Sequence, residues 1–268
     1  MFDFNLISVA IGFFVGLVLA LTGAGGSILA VPLLAFGLNL NITQAAPIGL
    51  MAVMFAASIG ALQGLRAGIV RYKAATLVAT LGVLFAPLGV WLAHRVSNQW
   101  LSFIFAIVLI FVARRMWQQS AQPAQQNEDT PAPACAVNPA TSKLFWTASC
   151  TKRLIATGSL AGFLSGLLGV GGGFVIVPTL RKVSNLEMKS IVATSLAVIA
   201  LVSASSVVAY IVHRTVDWQI AIPFVLATVV GMGLGRLVSH RISNQTTQRS
   251  FAVLAYLVAI SLVIRVIL

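Results

Sequence analysis

Apolar residues come in long unbroken runs, without the alternation of a strand or the one-sided stripe of a surface helix. Runs cover 45–65, 74–93, 101–113, 191–212, 220–238 and 251–268. Two further stretches, 6–40 and 154–180, are as apolar but are interrupted by glycines. Runs of this length with few charges predict transmembrane helices. Strands of a membrane barrel would alternate polar and apolar positions over roughly 10 residues; these runs do not, so the expected fold is all-α and polytopic.

The pattern also repeats. At an offset of 146, Gly12, Gly16, Gly23, Gly25, Gly26 and Pro32 fall on Gly158, Gly162, Gly169, Gly171, Gly172 and Pro178. The hexapeptide from His94 to Gln99 falls, in the same register, on that from His240 to Gln245. Two halves, 1–117 and 153–268, are therefore expected, joined by a polar, solvated linker at 118–152 that is rich in Gln, Pro, Ala, Ser and Thr. Internal repeats of this kind are common in secondary transporters.

Charge decides how the halves are oriented. Three Lys/Arg lie in 66–73, five in the linker region with its flanks, three in 181–189 and three in 236–249, while Arg95 and Arg214 stand alone in their loops. If each glycine-broken stretch crosses once, the halves are parallel and the two sides carry nine and seven basic residues. If each stretch goes in and comes back, the halves are inverted and the split becomes fourteen to two. The tendency of basic loops to stay in the cytoplasm selects the inverted arrangement. Each half is then a glycine-broken helical hairpin followed by three transmembrane helices, the linker is cytoplasmic, and both termini face outward. The arms 6–21 and 27–40 are 16 and 14 residues long, short of a hydrocarbon core of about 30 Å at about 1.5 Å per residue.

The breaks carry the candidate chemistry. Thr22 to Ser27 and Gly169 to Gly173 are too glycine-dense to continue a helix and permit positive φ. Irregular backbone at membrane depth survives where protein buries it or where it lines a wet cavity. A helix is expected to restart at about Ser27 and about Gly173, with free N–H groups and the positive end of its dipole at the tip. Two such tips meeting near the midplane would hold a small anion. Gly23, Gly25, Gly26 and Ser27 would frame it from one half and Gly169, Gly171, Gly172 and Gly173 from the other. Thr194 and Ser195, near the start of the helix after the second hairpin, would add hydroxyl donors. Ser203, Ser205 and Ser206 lie further along and read equally well as helix–helix hydrogen bonds. Gly12/Gly16 and Gly158/Gly162 read as close helix packing.

Composition narrows the function. Of 268 residues, 59% are hydrophobic and 8% charged, with a mean hydropathy of +1.00, against about 25% charged in soluble domains. The net charge of +12 sits at helix ends, where membrane orientation explains it without nucleic acid. The five acids, Asp3, Glu128, Asp129, Glu187 and Asp217, lie outside the deep parts of the runs, which leaves no obvious carboxylate proton relay. No nucleophile-and-base pair or ligand cluster suggests an enzyme, and no metal or cofactor is expected. The histidines sit near helix ends. Cys135 and Cys150, both in the linker, lack metal-site spacing and read as two free thiols. The start, Met1 to Asn5, lacks the basic region of a cleaved signal peptide, so 6–21 is expected to stay in the mature protein.

At these residues the chain resembles the TauE/SafE family of sulfite-exporter-like anion permeases. Gly12, Gly16, Gly23 to Gly26 and Pro32 carry the likeness in the first half. Gly162, Gly166, Gly169 to Gly173, Pro178, Ala193 to Leu196 and Val216 to Trp218 carry it in the second. The resemblance implies a multi-pass protein of the bacterial inner membrane that moves a small, often sulfur-containing anion such as sulfite, thiosulfate or an organosulfonate. Pro47, Ile48 and Gly49 stand where the second half has Ala193, Thr194 and Ser195, so hydroxyls would come mainly from one half. An anion channel using the same helix ends, and a non-transporting scaffold, are the alternatives.

Overall fold

The computed structural model describes residues 2–121, 135, 147–213, 216–239 and 244–267. Most of the linker, Arg214 and the start of the second hexapeptide at 240–243 lie outside them. The described chain is helical: α1 (Phe2–Thr22), a 3₁₀ segment (Gly23–Leu29), α2 (Ala30–Gly37), α3 (Ile42–Arg66), α4 (Tyr72–Arg95), α5 (Asn98–Ala121), α6 (Ala148–Leu168), α7 (Gly173–Val183), α8 (Met188–Val212), α9 (Trp218–Ser239) and α10 (Asn244–Ile267). Helices α3, α4, α5, α8, α9 and α10 are long and apolar enough to cross a membrane. Their ends follow local chemistry. The Asn41 N–H donates to Gln44 Oε1 at 3.2 Å, and Asn98 Oδ1 accepts the Ile42 N–H at 2.9 Å, closing the start of α3. Thr147 Oγ1 accepts the Cys150 N–H at 3.1 Å and caps α6.

Helices α6, α8, α9 and α10 begin at the positions that α1, α3, α4 and α5 predict at an offset of 146, while α7 begins three residues ahead of the counterpart of the start of α2. Packing follows the same rule. Helix α3 packs on α8 and α5 on α10, each a helix with its own counterpart; α1 packs on α9 and α4 on α6, which are counterparts of each other. Helices α3 and α8 are the most buried of the long ones and form the centre. They run antiparallel: Gly64, late in α3, lies against Ala193, early in α8, while Val53 and Ile199 flank one glycine nearer the middle. Outward faces of the other helices carry large exposed apolar side chains, among them Leu84, Leu88, Leu226, Val230, Leu257 and Ile260. Such a surface suits hydrocarbon rather than water.

The glycine-broken stretches fold back on themselves. Gly26 sits against Leu19, and Gly37 against Ile7 and Ile11, so α1 and α2 form an antiparallel hairpin. In the second half Gly172 lies against Ala161, and Cys135 ties the start of α6 to the end of α7. It is disulfide-bonded to Cys150 and its N–H donates to the Val183 carbonyl at 3.0 Å. Two expectations are corrected here. The cysteines are paired rather than free thiols, because this backbone bond brings Cys135 onto the α6–α7 hairpin. The first arm is also longer than expected: α1 starts at Phe2 and α6 at Ala148, so each has 21 residues, about 31 Å of helix. Only the returning arms are short.

The small-residue positions work as close-packing sites. A methyl group at Gly12 would fall 2.5 Å from the Phe224 carbonyl oxygen, and one at Gly158 2.8 Å from that of Val78. Methyl groups at Gly16, Gly162 and Gly166 would run into the carbonyl oxygens of Thr228, Gly82 and Ala86. Helices α1 and α6 thus lie backbone to backbone against α9 and α4.

Candidate functional site

The second tip is built by backbone handedness. Gly169, Gly171 and Gly172 have φ of 75°, 72° and 70°, the left-handed region that side chains disfavour. Gly169 ends α6 as its left-handed cap, and its N–H donates to the Ser165 carbonyl at 2.9 Å. Gly172 starts α7: its carbonyl accepts the Val175 and Ile176 N–H groups at 3.1 and 3.3 Å. The N–H groups of Gly173 and Phe174, at the first turn of α7, have no acceptor within the helix, and the positive end of its dipole lies there.

Space as well as φ demands glycine. A methyl at Gly171 would stand 2.9 Å from Ser203 Oγ, 3.0 Å from Val53 Cγ1 and 3.2 Å from Ile199 Cγ2. Gly171 therefore lies where α3 crosses α8. Gly169 packs against Ala46 of α3 and Val31 of α2, and Val31 also touches Gly49. The second tip thus meets elements of the first hairpin beside the central pair.

The first tip differs in form. Gly23, Gly25, Gly26 and Ser27 lie in a 3₁₀ helix, and Gly26 and Ser27 do not have positive φ. A new helix starts at Gly173, as expected, but in the first half α2 begins at Ala30 rather than at Ser27. Glycine permits positive φ without requiring it. Ser27 is fully buried, and its carbonyl accepts the Ala30 N–H. Of the two tips, only the second presents a clean α-helical N-terminus.

Hydroxyls complete the picture. Ser195 and Ser203 are both fully buried, and their Oγ atoms have no hydrogen-bond partner among the described residues. Ser195, Ile199 and Ser203 recur every four residues on one face of α8, and Gly171 abuts the last two. Buried hydroxyls are normally satisfied, so two orphans on one face of α8, one of them beside a glycine tip, stand out among the described residues. Neighbouring hydroxyls are spent: Ser206 donates to the Val202 carbonyl, Thr228 to that of Phe224, and Tyr210 to that of Gly166. Thr194 is engaged elsewhere, its Oγ1 accepting the Arg71 N–H at 3.0 Å, while Ser190 bonds the Ile69 carbonyl at 2.7 Å; together they hold the α3–α4 loop on α8. Ser203 is the residue that the sequence reading left out of its candidate set; its four-residue spacing from Ile199 and eight-residue spacing from Ser195 was the available signal.

A cavity of about 760 Å³ opens between α3, α8 and α9, lined by Ile59, Gln63, Lys189, Val192 and Val229 among others. At the matching place on the other side, Ser205 Oγ donates to the Val83 carbonyl at 3.1 Å and Val202 packs on Gly82. The counterparts of Ser205 and Val83 at the 146 offset are Ile59 and Val229, which both line the cavity. One side is closed where the other is open.

Comparisons with known proteins agree in kind. A family model described as sulfite exporter TauE/SafE matches residues 8–262. A probable membrane transporter protein of Xylella fastidiosa (strain 9a5c) is 30% identical over 267 residues, covering 97% of this chain and 95% of that protein. A probable membrane transporter protein of Bacillus subtilis (strain 168) is 26% identical over 276 residues, covering 96% and 97%. One of Methanocaldococcus jannaschii is 26% identical over 250 residues, covering 88% and 86%. No solved structure matches.

Proposed function

The chain belongs to the sulfite exporter TauE/SafE family of multi-pass membrane transporters, and from that premise we propose that it is a secondary transporter of a small sulfur-containing oxyanion such as sulfite, thiosulfate or an organosulfonate. Its setting is a bacterial inner membrane, with the 118–152 linker in the cytoplasm and both termini outside. The observation that carries this reading is the left-handed Gly169–Gly172 tip placed against the unpartnered hydroxyl of Ser203, with the unpartnered hydroxyl of Ser195 two turns away on the same face of α8. Sulfur oxyanions offer only acceptors. Hydroxyls and first-turn N–H groups offer donors without adding a fixed charge that would hold the anion too tightly. Gly23, Gly25, Gly26 and Ser27 line the same region from the other half, and Thr194 positions the α8 segment that carries Ser195.

Two inverted repeats, 1–117 and 153–268, account for the antiparallel crossing of α3 and α8. They also supply the mechanism. The closed α4–α8 contact and the open α3–α9 cavity are the same place in the two halves, so exchanging the two arrangements would open one side and close the other around a fixed central site. That asymmetry favours a transporter over a channel. Counterflow in proteoliposomes tests it. Labelled thiosulfate should enter faster against unlabelled internal thiosulfate and should saturate. Linear flux without counterflow would establish the channel instead, and flux of carboxylates but not of sulfur oxyanions would remove the proposed substrate class.

A further inference from the structure

A second, much smaller cavity runs along α7. Its volume is about 50 Å³, and its lining includes Gly173, Phe174, Pro178 and Arg181 of α7, Arg115 of α5, and Thr22 at the end of α1. A water molecule takes about 30 Å³ of liquid, so the space suits one small ion or headgroup. Two guanidinium-bearing side chains reach this one cavity from different helices. Glu187, one residue from the lining residue Met188, is the nearest acid in sequence to Arg181, yet no ion pair joins it to either arginine among the described residues. Thr22 has spent its hydroxyl proton on the Val18 carbonyl at 2.7 Å, which leaves the arginines as the side-chain donors. Arg115 is half-buried and Arg181 exposed, so the cavity has a wet end and a dry end. Gly173 and Arg181 are eight residues apart on α7, about 12 Å. The dry end therefore reaches the first turn of α7, two residues from Gly171.

The 146 offset gives an internal comparison. The counterparts of Arg115 and Arg181 are Ser261 and Ala35, and those of Phe174, Val177 and Pro178 are Ile28, Val31 and Pro32. Ile28, Val31 and Ala35 are buried in the main apolar core. The same place in the other half is thus packed and uncharged. A role in orienting the protein accounts for basic residues at helix ends, but not for two of them converging on one cavity that ends at a glycine tip.

We propose that Arg115 and Arg181 form a capture site for a small dianionic oxyanion in this cavity, whose other end lies at Gly173, two residues from the Gly171 tip. The site rests on the transport reading above for its purpose, but binding at it is measurable alone. Two unneutralised guanidinium groups favour a dianion over a monoanion, and their planar forks match a trigonal or tetrahedral oxyanion.

Full-length protein in detergent, titrated with thiosulfate at constant ionic strength and followed by thermal midpoint, tests this. The wild-type protein should show a saturable rise that acetate reproduces only weakly. Arg115→Gln and Arg181→Gln should each raise the half-saturating thiosulfate concentration tenfold or more, and Arg115→Lys and Arg181→Lys by a smaller factor. Arg114→Gln, one residue away and exposed, should titrate as wild type. A Ser195→Ala/Ser203→Ala double variant should keep an Arg181-dependent rise even where transport is lost, which separates this site from the central one. Wild-type titrations in both Gln variants, or an equal loss in Arg114→Gln, would overturn the capture site and leave the central site untouched. Should a Gln variant not fold, an unaltered titration in the matching Lys variant overturns it as well.

Discussion

At the scale of single residues, the proposed site predicts that stability and activity separate at two serines. An unpartnered buried hydroxyl contributes nothing to the fold and costs the desolvation of its donor, so removing it is nearly neutral or stabilising. Ser195→Ala and Ser203→Ala should therefore leave the thermal midpoint unchanged or raised, while thiosulfate transport falls about tenfold, the loss of roughly 1.4 kcal/mol of interaction. A structural serine would behave the other way, losing stability first. Gly171→Ala should fail on both counts. It places a side chain at φ 72°, which costs roughly 1–2 kcal/mol, and sets a methyl 2.9 Å from Ser203 Oγ. The glycines were legible because no other residue type explains their density. Ser203 was not, because a lone serine in an apolar helix usually bonds back to its own turn, as Ser206 does here. The cysteines misled for a related reason: linear spacing carries no sign of the Cys135 N–H bond to Val183 that brings them together.

At the scale of helices, stability depends on how closely backbones approach. Gly166 has the Ala86 carbonyl in the path of any side chain and gives its own carbonyl to Tyr210 at 2.9 Å. Gly166→Ala should wedge α6 from α4 and cost roughly 1–3 kcal/mol, as overpacking does, read as a lower thermal midpoint. Gly233 on α9 has nothing within 4 Å of its would-be methyl. Gly233→Ala should be neutral or stabilising by up to about 1 kcal/mol, the helix propensity that glycine forfeits. Both glycines look alike in sequence; only their surroundings separate them. The long helices were legible from length and hydropathy, and the duplicated glycine register placed α6 and α7 from α1 and α2. The form of the first tip was not, since 3₁₀ and left-handed turns draw on the same glycine-rich composition.

At the scale of the whole molecule, orientation joins the charge pattern to the disulfide. The proposed orientation, read from the fourteen-to-two distribution of basic residues, has the linker in the cytoplasm, a compartment in which thiols are held reduced. Both fit a linker whose clasp is open in the cell and closes on oxidation. Closing a loop with a sequence separation of 15 is worth about 3 kcal/mol in chain-entropy terms, and it seats Cys135 against the end of α7. Purified protein should therefore lose thermal stability on addition of dithiothreitol, and Cys150→Ser should abolish that response. The same variant reads the topology, because it leaves Cys135 as the single thiol of the chain. An impermeant maleimide should label Cys135 only after intact cells are opened. Labelling in sealed cells would place the linker outside and reverse the orientation. The Arg115–Arg181 pair would then face the periplasm, where it would gather anions for uptake rather than receive them for export.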